Sequence, residues 1–281
     1  MLARELRREG CGVILCQEYE HARFDMCVLM GQLMHLPVFA TFQGGDTQLA
    51  QIFNPIDVAL WRASDRGEAR AAFDIRMSAR VVVWHGRILL QRKRLNVLLD
   101  AWDRVCRERP ARDLRLLLVG TGNDANELRR RIADKALSGL LWVDKFVHDC
   151  TAIRRYLSAA DVYVSPSRHE GFPVAPIEAL SCSLPVVTAD APGVLDILEG
   201  GEASGGLVVP RGDAAALALA LGRILDDEVW CRELGQRARC RAEICFSLEA
   251  VGGQLRTFLS SRGGGTLRPR SVNRGHHVGN S

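Results

Sequence analysis

The chain has 281 residues, of which 47% are hydrophobic, 25% charged and 6% aromatic. This composition is typical of a soluble globular protein of about two domains, and it excludes collagen, a disordered tail protein and a small disulfide scaffold. The net charge of +4 equals the charge of four arginines in the acid-free segment 262–281, so the rest of the chain is neutral and a nucleic-acid-binding surface is not indicated.

The nine cysteines are odd in number, lack a C-x-x-C pair and lie mostly in apolar stretches. This pattern favours reduced, buried thiols over a disulfide or zinc framework. No apolar run approaches the roughly 18 residues that a membrane span needs, and the apolar run after the basic start is too short for a signal peptide. We therefore expect a cytoplasmic chain.

The first fifty residues predict a small α/β fragment. Two short apolar runs at 13–16 and 37–42 have strand character, and an apolar helix is predicted between them at 24–36. A unit of this size is smaller than most independently stable domains. We therefore expect residues 1–50 to be part of a larger domain whose edges need a partner, followed by an interdomain linker at 51–79.

From residue 80 onward, short apolar runs alternate with amphipathic stretches, the pattern of a parallel sheet covered by helices. The predicted strands lie at 81–84, 114–119, 140–143, 162–164, 185–188 and 207–209. Helical periodicity follows at 95–102, 153–160 and 213–227, the last with Asp213 as its N-cap. Six strands suffice for one doubly wound, Rossmann-like α/β domain at 80–245. A closing helix at 246–260 and a disordered basic tail at 261–281 complete the predicted organisation.

The segment 165–187, reading SPSRHEGFPVAPIEALSCSLPVV, joins a predicted strand to a predicted helix. The helix is expected to begin near Ala175, with Pro176 in its first turn, where the missing N–H costs nothing. Glu170 then lies in the loop and Glu178 in the first helical turn. Both face the carboxyl end of the sheet, where open α/β folds bind ligands.

This segment suits a nucleotide that carries a diphosphate and a sugar. Gly171 permits close backbone approach, and the free N–H groups of a helix start attract phosphate. A carboxylate accepts hydrogen bonds from vicinal hydroxyls, so Glu170 and Glu178 are able to hold a sugar and a ribose separately. The alternative is that Glu170 is a solvated loop charge and Glu178 a partner of the helix dipole.

Basic residues also follow the first predicted strand of this domain. Gly86 and Arg87 lie at its end, and Lys93 follows within the run 92–94. Arg87 and Lys93 are expected to meet a diphosphate across the same crevice and to neutralise it as a leaving group without a metal. The alternative for the run 92–94 is a solvated helix start.

Three motifs in order carry a family resemblance: G-R-x5-K at 86–93, V-G-x-G at 119–122, and E-G-F-P-V-A-P-I-E-A at 170–179. Over about residues 50–260 the chain resembles the C-terminal half of a family 4 retaining glycosyltransferase of the GT-B fold. The resemblance implies that residues 1–50 belong to the acceptor-side domain and that 80–245 binds a nucleotide sugar. It implies a hexosyltransferase-type enzyme that needs no metal or cofactor.

The resemblance also implies roles for single residues. Glu178 binds the ribose hydroxyls, Glu170 faces the donor sugar, and Arg87 and Lys93 clamp the diphosphate. The other expected donor-binding residues are Gly86, His169, Gly171, Phe172, Pro173 and Val174, together with Phe146 and Val147, which are expected near the nucleobase. The acceptor is expected to be a glycan or a lipid-linked glycan of bacterial polysaccharide biosynthesis. The tail arginines add a diffuse charge for peripheral attachment at the inner membrane face.

Some positions depart from the family pattern. Arg94 and Ser183 stand where the family usually has glycine, and Gln43 stands where many members carry a histidine, so no general base is assigned. Because the first half spans only about fifty residues, a truncated module that binds nucleotide sugar without transfer remains an alternative, and a GT-B-like epimerase ranks third. Gly120–Gly122 is either a phosphate-facing loop or a tight turn, and His169 either a substrate contact or a structural residue.

Overall fold

A computed structural model describes residues 12–17, 22–41 and 52–262 of the protein. The chain divides into two compact units, a larger one at Phe53–Gly253 and a smaller one formed by the residues before and after it. The predictions made for Gln43 and for the tail from residue 263 lie outside the described residues.

The smaller unit contains a parallel βαβ arrangement. Strand β1 (Ile14–Gln17) is followed by helix α1 (Ala22–Met34) and strand β2 (Val38–Thr41), and β1 pairs with β2 in parallel. These elements confirm the predicted order of strand, helix and strand, with bounds shifted by one or two residues. Helix α1 exposes Met26, Leu29 and Leu33, whose spacing puts them on one face of the helix.

The larger unit alternates strands and helices along the chain. Its elements are α2 (Arg66–Ala71), β3 (Arg80–His85), α3 (Leu90–Lys93), α4 (Leu95–Glu108), β4 (Leu114–Val119), α5 (Ala125–Lys135), β5 (Leu140–Val143), α6 (Cys150–Ala159), β6 (Val162–Ser165), α7 (Val174–Ser181), β7 (Val186–Ala189), β8 (Gly206–Val209), α8 (Ala214–Asp226), α9 (Glu228–Arg241) and the start of α10 (Leu248–Arg262). A 3₁₀ helix (Gly201–Ser204) precedes β8, and a π-helix (Ala242–Phe246) follows α9.

The six strands of the larger unit form one parallel sheet in the order β5-β4-β3-β6-β7-β8. The chain moves outward from β3 in one direction, then crosses back to β6 and moves outward in the other. This is a doubly wound α/β fold, which confirms the predicted fold class. The order reverses between β3 and β6, and such folds bind ligands at the carboxyl ends of the strands beside that point.

Residues 53–79 differ from the expected interdomain linker, because from Phe53 onward they pack within the larger unit. Ile56 and Trp61 are buried, and the N–H of Ile56 donates to the carbonyl of Phe246 at 2.7 Å. The guanidinium of Arg239 donates to the carbonyl of Trp61 at 2.9 Å. The segment lacks strand or helix periodicity over most of its length, so these long-range contacts leave no pattern in the sequence.

Asp161 holds the amino ends of β3 and β6 together. Its Oδ2 accepts from the Val81 N–H at 2.6 Å and from Arg70 at 2.9 Å, and its Oδ1 pairs with Arg66 and Arg80. Arg70 is fully buried and also donates to four backbone carbonyls. Burial lowers the pKa of Arg70 from its ordinary value, although Asp161 opposes the shift. The network therefore fixes the edge of the sheet opposite to the candidate site.

Candidate functional site

The turns that follow β3 and β4 touch each other at the carboxyl edge of the sheet. A Cβ on Gly120, which has a φ of +140°, would lie 1.9 Å from the carbonyl oxygen of Gly86. The N–H of Ile88 donates to the carbonyl of Thr121 at 2.9 Å. The V-G-x-G motif therefore supports the Gly86 turn through close backbone packing, which favours the tight-turn interpretation of Gly120–Gly122.

The basic run 92–94 ends a short helix instead of starting one. Arg92 and Lys93 lie in the last turn of α3, where the helix dipole favours positive charge. Arg94 follows at a φ of 51° and a ψ of 39°, the left-handed conformation, and is the N-cap of α4. The alternative of a helix start is thus wrong for Arg92 and Lys93. The left-handed backbone explains why glycine suits position 94.

Glu170 and Lys93 meet beside this short helix. The Lys93 Nζ lies 2.6 Å from Glu170 Oε1, and the Arg92 Nη2 lies 3.6 Å from Glu170 Oε2. The N–H of Arg168 also donates to the carbonyl of Arg92 at 2.8 Å. Glu170 is only 5% exposed, so the solvated-loop alternative does not describe it. The loop after β6 and helix α3 therefore form one charged surface at the switch point.

Glu178 is held by a residue that the sequence did not single out. Its Oε2 lies 2.7 Å from Nε2 of His85, the last residue of β3. Because α7 begins at Val174, Glu178 lies in the second helical turn, and the expected position in the first turn is wrong. The one sequence feature that could have indicated a role for His85 is its location directly before Gly86 and Arg87.

Tyr163 packs against His85 at the end of β3. Its ring meets the His85 imidazole edge to face, with centroids 5.4 Å apart, and its hydroxyl donates to the His85 carbonyl at 3.4 Å. Burial raises the pKa of the Tyr163 phenol well above its ordinary value, and the charges of Glu178 and Glu170 add to the shift. Tyr163 therefore stays a neutral donor, and its phenol is close enough to both carboxylates to respond to their charges.

The loop before α7 presents backbone groups rather than side chains to the candidate site. Phe172 stacks on Phe53, with centroids 5.1 Å apart, so its ring belongs to the hydrophobic core. Gly171 is exposed, and a Cβ on Gly193, whose φ is +78°, would lie 1.7 Å from its carbonyl oxygen. Pro173 precedes α7 without supplying a side-chain acceptor to the first N–H groups of the helix. The backbone of Gly171 and the first N–H groups of α7 therefore offer polar groups close to Glu170 in the chain.

The remaining candidate residues are spread along the same edge of the sheet. Arg87 is exposed after Gly86, and none of the described side chains forms an ion pair with it. Phe146 follows β5, is 52% exposed and has its ring centroid 4.4 Å from that of His148. Val147 packs partly against the hydrophobic core, whereas the side chains of His169 and Val174 are exposed.

The adjacent carboxylates Asp226 and Asp227 have structural roles. Asp226 ends α8 and accepts from Arg109 at 2.7 Å, and Asp227 accepts from the N–H of Trp230 at the start of α9. Within the described residues, no three His, Cys, Asp or Glu side chains are grouped to hold a metal ion. Each described cysteine is a free thiol. Cys182 and Cys231 are buried as expected, but Cys150 and Cys240 are exposed.

Among the helices of the described residues, none has both the length and the apolar character for a membrane span.

The chain was compared with known proteins. It is 31% identical over 224 residues to a D-inositol 3-phosphate glycosyltransferase of Nocardia farcinica, covering 78% of this chain and 49% of that protein. It is 26% identical over 190 residues to the lipopolysaccharide core biosynthesis mannosyltransferase LpsB of Rhizobium meliloti, covering 66% of this chain and 52% of that protein. The chain thus spans about half the length of these curated relatives.

The fold resembles that of Anabaena Alr3699/HepE, whose crystal structure is a complex with UDP and glucose. The TM-score is 0.68 at 21% identity, covering 89% of this chain and 72% of that one. The family model described as glycosyl transferases group 1 matches residues 79–227, from the start of β3 to the end of α8. Because this match covers more than half of the chain, the protein belongs to the glycosyl transferases group 1 family.

Proposed function

We propose that the larger unit binds a nucleotide-diphosphate sugar at the carboxyl ends of β3 and β6, and that the sugar is transferred with retention to a glycan or a lipid-linked glycan. The observation that carries the proposal is the pairing of Glu170 with Lys93 and of Glu178 with His85 at one switch point. Family membership supports the transferase reaction, because the matched region contains both pairs.

The diphosphate is assigned to the cations and to the start of α7. Lys93 Nζ has three donors, so it is able to keep its bond to Glu170 and also to donate to a phosphate oxygen. Arg87 is exposed after the end of β3 and forms no ion pair with a described side chain, and it is proposed to reach the same diphosphate. The first N–H groups of α7 and the helix dipole favour a negative charge at the same place.

The sugars are assigned to the two carboxylates. Glu178 keeps Oε1 outside its bond to His85, and that oxygen is proposed to accept from the ribose hydroxyls. Glu170 and the backbone of Gly171 and Phe172 are proposed to face the donor sugar. The nucleobase is placed near Phe146, whose half-exposed ring offers an aromatic face.

In the proposed reaction, the bond between the anomeric carbon and the diphosphate oxygen breaks through an oxocarbenium-like state. The acceptor hydroxyl attacks from the side that the diphosphate leaves and passes its proton to the departing diphosphate oxygen, so the configuration is retained. Lys93 and Arg87 stabilise the negative charge that develops on the diphosphate, which is the main rate effect that these residues supply. That the reaction proceeds without a metal stays a prediction.

A second candidate function is a module that binds nucleotide sugar and transfers nothing. The observation that favours it is that the family match at 79–227 contains the residues assigned to the donor, whereas none of the described residues has been assigned to an acceptor. An epimerase reaction would need acid and base groups beyond the candidate site, and we place it last.

Calorimetric titration with UDP-, GDP- and ADP-sugars, beside a donor hydrolysis and transfer assay, distinguishes these functions. Binding with turnover supports the transferase, and binding without turnover supports the module. If none of the nucleotide sugars in the panel binds, both proposed functions are contradicted. For lysine variants of the site, Lys135→Ala is the matched control in these measurements, because Lys135 pairs with Asp100 at 2.8 Å on the surface, outside the site.

A further inference from the structure

His85 is a buried polar residue whose environment is not that of an ordinary core residue. It ends β3, is 8% exposed and places Nε2 at 2.7 Å from Glu178 Oε2. Its other ring nitrogen, Nδ1, is buried and has no hydrogen-bond partner in the described part of the chain. A buried polar atom without a partner is destabilising, so the position of His85 needs an explanation.

The hydrogen bond assigns the proton on the imidazole. A carboxylate only accepts, so His85 must donate from Nε2, and in the neutral ring Nδ1 then carries the lone pair. The contact with Tyr163 described above fixes the ring plane, and the Tyr163 hydroxyl holds the His85 carbonyl. The imidazole is therefore held on two sides and points one donor at Glu178.

This contact restricts the carboxylate that it meets. The Glu178 side chain is 17% exposed and otherwise has several torsions free to rotate. With Oε2 held by His85, the carboxylate is left in one orientation. Holding a binding group in one orientation before the ligand arrives increases affinity, because less side-chain entropy is lost on binding.

We propose that His85 is a positioning residue that orients Glu178 toward the ribose hydroxyls of the nucleotide. The inference rests on the proposed function, because it assigns a role within the same donor site. His85 acts through Glu178 and does not itself touch the reacting atoms. Its effect should therefore depend on the ribose hydroxyls of the ligand and not on the diphosphate.

Two amide variants separate the hydrogen bond from the polarity of the side chain. In His85→Gln the amide nitrogen reaches about as far as Nε2, whereas in His85→Asn the amide is too short to reach Glu178. The affinities of UDP, GDP and ADP, and of their 2′,3′-dideoxy analogues, which lack both ribose hydroxyls, are measured by calorimetry for the wild type and both variants. Thermal melts show whether each variant is folded.

The wild type is expected to prefer ribonucleotides. His85→Asn should reduce this preference about tenfold, as expected for the loss of a hydrogen bond to a charged group, and should leave dideoxynucleotide binding unchanged. His85→Gln should keep the wild-type preference.

The inference is overturned if His85→Asn keeps the wild-type preference, or if it weakens ribo- and dideoxynucleotides equally, since the second result indicates a structural role. It is also overturned if both variants lose the preference to the same extent. A wild type that binds none of the nucleotides contradicts the proposed function itself, so the two failures are distinguishable.

Discussion

Lys93 and Glu170 form an ion pair of 2.6 Å although they are 77 positions apart in the chain. Lys93 ends the short helix after β3, and Glu170 lies in the loop after β6. These are the two strands between which the order of the sheet reverses. The doubly wound topology thus brings a cation from one motif to a carboxylate from another, at the place where this fold binds ligands.

Replacing Lys93 with alanine should lower the transfer rate by about 100-fold or more, because the leaving diphosphate loses a fixed positive charge. Among the described side chains, the variant leaves Glu170 paired with the Arg92 guanidinium alone, at 3.6 Å. The rate is measured with the nucleotide sugar that binds the wild type, and Lys135→Ala serves as the control. Near-normal transfer by a folded Lys93→Ala protein would show that this lysine does not stabilise the leaving group.

Replacing Ser183 with glycine should stabilise the protein by up to about 1 kcal/mol, because the left-handed backbone strains a residue that carries a Cβ. Ser183 is exposed and has a φ of 59°. Chemical denaturation measures the free energy of unfolding. Ser78→Gly is the control, because Ser78 is exposed and is not among the residues of positive φ. A Ser183→Gly protein less stable than the wild type would contradict the backbone assignment.

Replacing Asp161 with asparagine should lower the free energy of unfolding by about 3–5 kcal/mol, because it leaves the buried Arg70 charge without its carboxylate. Both side chains are almost completely buried. Urea denaturation gives the comparison. Asp226→Asn is the matched control, since Asp226 also pairs with an arginine but is 43% exposed, and its loss should cost less than about 1 kcal/mol. If the two changes lower the free energy of unfolding equally, the expected effect of burial on the cost of losing the ion pair is contradicted.

The stability contributed by Asp226 should depend on pH. The hydrogen bond from Arg109 lowers the pKa of Asp226 below its ordinary value. A carboxylate with a lowered pKa stabilises the fold above the unfolded pKa of about 4, and this contribution is lost as the pH falls through the folded value. The stability difference between wild type and Asp226→Asn should therefore be full at neutral pH and shrink toward pH 3. A difference that grows on acidification would contradict the assigned pair.

Much of the fold was predictable because strands and helices carry local patterns. The predicted strands at 114–119 and 140–143 coincide with β4 and β5, since continuous apolar runs bounded by turns mark buried parallel strands. The family pattern of glycine at positions 94 and 183 also agrees with the backbone, because both residues have positive φ. These features depend on short stretches of sequence.

The features that the sequence did not predict depend on distant contacts. His85 meets Glu178 across 93 positions, and a single histidine has no periodicity that would reveal its partner. Helix α3 has only four residues, too few for a helical pattern, so the alternative considered for residues 92–94 was a helix start and not a helix end. The segment after Phe53 packs against residues that are distant in the chain, such as Arg239. Such contacts leave no local pattern, so the sequence predicted a linker there.

A crystal structure of the protein with the nucleoside diphosphate that binds most tightly in calorimetry tests the proposed donor site most directly. We predict that the diphosphate contacts Lys93 and the start of α7, and that the ribose hydroxyls contact Glu178. A nucleotide bound elsewhere on the protein, with Lys93 still paired only to Glu170, would contradict the proposed site.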